Sequence, residues 1–361
     1  MAFKDFLKRK NIEISAKRYA IDALGAMAQG LFASLLIGTI LNTLGTQLGI
    51  PALTACGGYA SSMSGAAMAI AIGYALQAPP LVLFSLATVG YAANALGSTT
   101  LSGGKGAGGP LAVLFIAVIA AEFGKAVSKE TRVDILVTPL VTILVGVGLS
   151  ALIAPAIGTA ASSIGSVIMW ATDLQPFLMG IVVSVIIGMA LTLPISSAAI
   201  CAALGLTGLA GGAAVAGCCA QMVGFAVMSF KENKWGGLVS QGIGTSMLQM
   251  GNIVRNPWIW VPPIAASAVT GPIATCLFRL QMNDPASAVA SGMGTCGLVG
   301  QIGVYAGWVA DVASGAKSGI TGMDWLGLIL ISFILPAVLT PLFAIPLRRA
   351  GRIKDGDMTL Q

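Results

Sequence analysis

Residues 135–153 read ILVTPLVTILVGVGLSALI, an apolar run without a single Asp, Glu, Lys or Arg. A second run of this kind covers residues 326–347. A membrane-spanning α-helix needs roughly 20 predominantly apolar residues, whereas a transmembrane β-strand would alternate apolar and polar residues over about ten positions. Neither run alternates, so both predict membrane-spanning helices.

Charged residues are rare and unevenly spaced along the whole chain of 361 residues. They make up 9% of the chain against 56% hydrophobic residues, whereas a typical soluble domain carries about 25% charged residues. No charge occurs between Asp22 and Lys105 or between Asp173 and Lys231. We therefore predict an all-α polytopic membrane protein with about ten transmembrane helices, two re-entrant hairpins and an amphipathic linker helix.

The composition excludes several classes of protein. Too few polar residues are present to coat the surface of a soluble enzyme. The 19 Lys and Arg outnumber the 13 Asp and Glu, but they flank the apolar runs instead of forming a stripe, so no nucleic-acid partner is expected. The six Cys lie in apolar stretches and the chain has no His. We therefore expect no metal site, no cofactor and no catalytic residue.

Basic clusters near both ends of the sequence set the expected topology. They lie within residues 4–18 and 348–354, and the positive-inside rule places both termini in the cytoplasm. The predicted divisions are a basic amphipathic helix at 1–20, helices over 21–158, a linker helix at 159–174, further helices over 175–347 and a tail at 348–361.

Two segments are too polar to face lipid. Residues 236–257 mix Gly with Ser, Gln, Thr and Asn, and residues 283–300 are rich in Gly, Ser and Ala. Polar or irregular backbone persists at membrane depth only where protein or a watery cavity surrounds it. We therefore predict re-entrant hairpins at 236–257 and 283–300, with ordinary extramembrane loops as the alternative.

Uncharged polar side chains at membrane depth are the candidate binding residues, because each costs free energy unless it is paired or lines a cavity. A proline in mid-span frees a backbone carbonyl beside two hydroxyls, although a simple packing kink has the same pattern. Amides and hydroxyls both donate and accept hydrogen bonds, which suits a neutral, polyhydroxylated ligand. The predicted substrate-binding residues are Gln249, Asn252, Ser196, Ser197 and Pro194, with Thr245 and Gln301 in secondary roles.

Three motifs follow one another along the chain: ILVTPLVTILVG at 135–146, LPISSAA at 193–199 and MGNIVRNPW at 250–258. In this order they resemble enzyme IIC, the membrane component of bacterial sugar phosphotransferase systems, particularly its fructose/mannitol-like branch. The first is similar to that branch's long fifth span. The second occupies the place of a Gly-Gly-Pro-x-Asn-Lys-Ala-Ala motif, and the third resembles the first re-entrant loop.

The resemblance implies a transporter of a sugar or sugar-like compound in the bacterial cytoplasmic (inner) membrane. It implies that the helices over 21–158 are a scaffold through which a homodimer forms. Residues 175–347 would be a transport domain that moves its substrate by an elevator-type mechanism. The implied partners are the polar substrate, the lipid bilayer and separate phosphoryl-carrier proteins.

The chain departs from the family at several functional positions. Gln249 stands where the family usually has a Glu that holds sugar hydroxyls, Ser196 and Ser197 replace an Asn-Lys pair, and residues 290–294 replace a Pro-His-Gly-Gly element. A phosphoryl-transfer domain needs about 50 residues or more, and the extramembrane segments are shorter than that. We therefore expect transport without intrinsic phosphorylation and no catalysis by the chain alone. The alternative is a ligand-sensing membrane regulator that does not transport.

Overall fold

The computed structural model describes residues 2–15, 17–172, 174–283 and 287–360. Over these residues the chain is helical, and its β-structure is confined to isolated bridges. Eight of the described helices are long and apolar enough to cross a membrane, and two shorter apolar helices, Ser64–Ala75 and Pro176–Thr192, accompany them. The structure thus confirms the predicted all-α polytopic membrane fold.

The chain forms two compact units, residues 1–161 and 162–361. The helices of the first unit are α1 Ala2–Arg9, α2 Ala23–Leu48, α3 Pro51–Ser62, α4 Ser64–Ala75, α5 Pro80–Gly97, α6 Gly109–Val127 and α7 Asp134–Ser162. Prolines stand in the first turn of α3, α5 and α6, where the missing N–H breaks no intrahelical hydrogen bond. Gly49 closes α2 in the left-handed conformation (φ 67°), which glycine adopts without steric cost.

Helix α7, which contains the run at 135–153, has the burial pattern of a membrane helix. Its large apolar side chains face outward, with Ile135, Leu140, Leu144 and Leu152 all exposed. Its inward face carries small residues spaced by four, namely Thr138, Thr142, Gly146 and Ser150. This pattern inverts that of a soluble helix because lipid solvates Leu and Ile, while small residues let helices approach closely.

The second unit contains α8 Ile164–Thr172, α9 Pro176–Thr192, α10 Ser197–Leu204, α11 Gly208–Met228, α12 Phe230–Val239, α13 Met250–Arg255, α14 Pro257–Leu277, α15 Ala288–Ser291, α16 Cys296–Ala313 and α17 Gly322–Arg349. Helix α11 lies at the centre of this unit, and 94% of the residues in its most apolar stretch are buried. A methyl group on Gly212 or Gly217 would overlap a backbone carbonyl of a neighbouring segment. These glycines therefore allow other segments to pack directly against α11.

The segment predicted as a linker helix at 159–174 begins inside α7 in the structure. Helix α7 continues to Ser162, and the separate helix α8 covers only Ile164–Thr172. Residue 173 lies outside the described residues. On α8, Val167 and Trp170 are exposed while Ile168 is fully buried, so this short helix presents both an inward and an outward apolar face.

The two segments predicted as re-entrant hairpins, which we call the first hairpin (236–257) and the second hairpin (283–300), consist of short, irregular elements. The first follows α12 through a π-helical turn (Ser240–Gly244), a 3-10 turn (Ser246–Gln249) and α13. The second contains α15 and the 3-10 turn Cys296–Leu298, and residues 284–286 of the predicted range lie outside the described residues. Polar side chains in both segments are fully buried, including Gln241, Gln249 and Ser291.

Candidate functional site

Three amide side chains of the first hairpin form a buried, uncharged cluster, which we call the amide cluster: Gln241, Gln249 and Asn252. Gln249 Nε2 donates to Gln241 Oε1 at 2.9 Å, and Asn252 Nδ2 donates to Gln249 Oε1 at 2.8 Å. Gln241 Nε2 donates in turn to Ser229 Oγ at 2.9 Å. The turns of the hairpin point these residues inward, where a lost partner would leave a costly unpaired group.

The C-terminal segment, residues 352–360, lies against the amide cluster. Gln249 Nε2 donates to the Met358 carbonyl at 2.9 Å, and Asn252 Nδ2 donates to the Thr359 carbonyl at 3.0 Å. Asn233 Nδ2 donates to the same Met358 carbonyl at 2.8 Å. The side chains of Met358 and Ile353 are 0% and 2% exposed, so the segment is inserted into the protein and not merely laid over it.

Charged groups hold the start of this segment at the surface. Lys231 Nζ contacts Asp355 Oδ2 at 2.5 Å, and Arg348 Nη1 contacts Asp355 Oδ1 at 3.2 Å. The hydrogen bond from Lys231 and the positive charge beside it lower the pKa of Asp355 below its ordinary 3.8. Asn256 Nδ2 donates to Asp357 Oδ2 at 2.8 Å. The charges thus lie at the periphery, and the amide cluster itself is neutral.

A second polar network joins the first hairpin to the helices around it. Thr192 Oγ1 at the end of α9 and Ser246 Oγ of the hairpin are 2.8 Å apart. Gln221 Oε1 of α11 accepts from Trp260 Nε1 at 3.0 Å and from Thr192 Oγ1 at 3.3 Å. Gln221 Nε2 reaches Ser267 Oγ at 3.5 Å. This network fixes the position of the hairpin through uncharged groups alone.

The second hairpin contacts both the first hairpin and the broken helix. Thr295 Oγ1 donates to the Gly242 carbonyl at 2.5 Å, and Ser197 Oγ donates to the Gly292 carbonyl at 2.7 Å. Helix α9 ends at Thr192, Pro194 lies in the extended break, and α10 starts at Ser197. Two hairpins and a helix break therefore meet in one packed, hydroxyl-rich region.

A family model described as phosphotransferase system, EIIC matches residues 21–360. The chain belongs to this family. No curated protein and no solved structure matches it. Membership, together with the apolar helices, makes the chain a multi-pass membrane component of sugar transport, with a sugar as substrate and other phosphotransferase components as partners. The fructose/mannitol-like branch stays a prediction.

In this EIIC protein the predicted site residues do not all bind one another; they belong to separate sets of hydrogen bonds. Gln249 and Asn252 bond directly to each other. Thr245 Oγ1 accepts from the Met247 N–H at 3.1 Å, and Ser196 Oγ accepts from the Ala199 N–H at 3.1 Å, so both hydroxyls cap short helices. Capping satisfies backbone donors at a helix start.

Gln301 belongs to a different part of the second unit. Its Nε2 donates to Ser332 Oγ at 2.9 Å and contacts Cys219 Sγ at 3.3 Å. Its Oε1 is buried without a hydrogen-bond partner among the described residues. Gln301 therefore makes its polar contacts with α11 and α17, and none of its hydrogen bonds is to the amide cluster.

Several residues of the site were not among the predicted substrate-binding residues, although Gln241 and Gln221 are uncharged polar residues of the kind considered there. Gln241 completes the amide cluster, Asn233 binds the C-terminal segment, and Gln221 is the centre of the second network. The tail itself was predicted only as a cytoplasmic extension. The usable signal was the presence of three apolar side chains, Ile353, Met358 and Leu360, in an otherwise polar and charged stretch.

Proposed function

We propose that this EIIC protein transports a neutral, polyhydroxylated sugar or sugar-like compound, and that the amide cluster is its principal recognition element. The observation that carries the proposal is the direct hydrogen bonding of Gln249 to Gln241 and Asn252 in a buried and uncharged cluster. Buried polar groups demand partners. A ligand rich in hydroxyls both donates and accepts, as amides do.

The proposed roles follow from the donors and acceptors at each position. Gln249 and Asn252 bind ligand hydroxyls, because their amide hydrogens already point at the carbonyl oxygens of Met358 and Thr359. Ser196, Ser197 and Pro194 shape the helix break beside the second hairpin. Thr245 and Gln301 have secondary roles in substrate binding in this proposal.

Transport is proposed to follow the elevator type of alternating access. In this account residues 175–347 carry the ligand across the bilayer as one body, and the helices over 21–158 form the scaffold of a homodimer. The remaining proposed features are a bacterial inner-membrane location and cytoplasmic termini. The basic clusters within residues 4–18 and 348–354 support this orientation.

The chain is proposed to move its substrate without phosphorylating it. Gln249 supplies a neutral amide where a carboxylate would accept more strongly from a sugar hydroxyl, since hydrogen bonds to charged groups contribute about 1.5–3 kcal/mol against about 1 kcal/mol for neutral ones. The chain also has no His to carry a phosphoryl group. Any phosphorylation would therefore depend on separate phosphoryl-carrier proteins.

The test is a binding and flux measurement on purified protein with unmodified hexoses and hexitols. A ligand at 100 times its Kd stabilises the folded state by about 2.7 kcal/mol, which raises the melting temperature in detergent. Gln249→Ala should abolish this shift and Gln175→Ala, at an exposed position, should preserve it. An unchanged shift in Gln249→Ala removes Gln249 from the site.

Flux is measured separately, as counterflow of the same sugar into proteoliposomes. Accumulation that Gln249→Ala abolishes and Gln175→Ala retains is the expected result. Binding of a sugar without counterflow would contradict transport and would leave only recognition at this site.

A further inference from the structure

With the C-terminal segment in place, every amide hydrogen of Gln249 and Asn252 is used in a hydrogen bond, one from each residue to the segment itself. A primary amide carries two N–H donors. Those of Gln249 go to Gln241 Oε1 and the Met358 carbonyl, and those of Asn252 go to Gln249 Oε1 and the Thr359 carbonyl. With the segment in place, neither residue has a donor left for a sugar hydroxyl.

The contacts of the segment with these amides are made by its backbone. Two successive carbonyls, those of Met358 and Thr359, meet the amide cluster, and the Leu360 N–H donates to Asn233 Oδ1 at 2.8 Å. A pair of carbonyl oxygens presents to an amide the same acceptor chemistry as a pair of sugar oxygens. The segment therefore resembles a ligand of this site in its hydrogen bonding.

The segment is also attached in a way that allows it to leave. Gly351 (φ 67°) and Gly356 (φ 94°) bend the chain on either side of Ile353, and glycine reaches these angles without strain. Its ionic contacts through Asp355 are exposed, with 65% of that side chain accessible. Exposed ion pairs contribute little to stability, so the buried side chains of Ile353 and Met358 and the amide hydrogen bonds supply most of the attachment.

We propose that residues 352–360 are a built-in competitor of the substrate: they occupy the amide cluster and must leave before a sugar can bind. This inference rests on the proposed function for the identity of the ligand. The occupancy itself can be tested without any sugar, so that failure of one proposal is distinguishable from failure of the other.

The reporter of occupancy is Asn252→Cys in the full-length chain, which loses the hydrogen bond to the Thr359 carbonyl and keeps those from Gln249 and Asn233 to the Met358 carbonyl. Cys56→Ser and Cys276→Ser remove the two exposed native thiols. The rate of labelling by a hydrophilic maleimide is read by mass spectrometry on the peptide that carries position 252. In parallel, trypsin cleavage after Lys354 reports release of the segment, because a docked and hydrogen-bonded chain resists proteolysis.

Two variants should release the segment and two should not. Met358→Asp places a charge in a fully buried position, and Asn233→Ala removes two hydrogen bonds to the segment. Each should raise both the labelling and the cleavage rates at least about tenfold, since the open fraction controls both. Met358→Leu keeps the buried apolar contact and Lys354→Ser changes an exposed residue; both should label within about twofold of the parent protein. For Lys354→Ser cleavage is read after Arg352.

Two results would overturn the proposal that the segment covers the amide cluster. Faster cleavage with unchanged labelling at position 252 would overturn the proposal, because something other than the segment would then cover the amides. Unchanged cleavage and labelling in Met358→Asp that elutes as a folded, monodisperse species would overturn it as well. Asn233→Ala decides the question where Met358→Asp does not fold.

A final experiment tests whether binding of the substrate releases the C-terminal segment. A hexose or hexitol that binds in the melting experiment should accelerate trypsin cleavage after Lys354 in the wild-type chain, because ligand and segment exclude each other. A sugar that binds and leaves the cleavage rate unchanged would show that both fit at once, which contradicts competition.

Discussion

The substitution Gln249→Met tests whether the amide cluster is formed as described. Methionine keeps the length and flexibility of the glutamine side chain and removes its hydrogen-bonding groups. Three hydrogen bonds are lost: to Gln241 Oε1, to the Met358 carbonyl and from Asn252 Nδ2. The cavity stays filled, so the loss of stability reports mainly on the polar contacts.

The expected loss in the free energy of unfolding depends on which hydrogen bonds each former partner of Gln249 retains. The Met358 carbonyl still accepts from Asn233 and Asn252 Nδ2 still donates to Thr359, so each of these two losses costs about 1 kcal/mol. Gln241 Oε1 loses its hydrogen bond and stays buried, and such an orphaned acceptor costs about 1–3 kcal/mol. The expected total loss is about 3–5 kcal/mol.

The assay is reversible unfolding in mixed micelles of dodecyl maltoside and dodecyl sulfate. The control is Gln175→Met at an exposed position, where a surface substitution changes stability by less than about 0.5 kcal/mol. A loss below about 1 kcal/mol for Gln249→Met would refute the buried hydrogen-bonded cluster, and with it the donor count on which competition by the C-terminal segment rests.

Three further predictions concern other parts of the molecule. Gly217→Ala should prevent folding because its methyl group would overlap a backbone carbonyl of the neighbouring helix, whereas Gly148→Ala, with open space around it, should stabilise the chain by about 0.5–1 kcal/mol in the same unfolding assay. Lys125→Ala should cost about 3–5 kcal/mol, since the buried lysine lies 2.9 Å from Glu122 Oε2 and its removal leaves that carboxylate uncompensated; adding Glu122→Gln should recover part of the loss. Because Lys231 lowers the pKa of Asp355 below 3.8 in the docked state, the small contribution of this exposed ion pair to docking is present above pH 3.8 and is lost as the pH falls through the lowered value; pepsin cleavage of the segment should rise slightly there, and Asp355→Asn should remove this pH dependence.

Local patterns in the sequence were sufficient to predict the helices and their interruption. The run at 135–153 predicted α7 because hydropathy and helix length are properties of consecutive residues. Pro194 lies in the break between α9 and α10, since proline lacks the N–H that a helix interior requires. The family was likewise identified from short motifs, and the match over residues 21–360 confirms it.

The partners of the candidate site were not predictable in this way. The carbonyls of Met358 and Thr359 bind Gln249 and Asn252, yet every residue has a carbonyl, so no sequence pattern marks these two. The role of Gln301 was also hidden, because its pairing with Ser332 on α17 depends on how distant helices pack. Composition identified the polar side chains, and only the fold determined their partners.

The most direct measurement is a cryo-EM reconstruction of the full-length protein in lipid nanodiscs with a hexitol or hexose that passes the melting screen. The account predicts ligand density against the side-chain amides of Gln249 and Asn252, with residues 352–360 displaced from them. Density at another location, with the C-terminal segment still bonded to both amides, would contradict it.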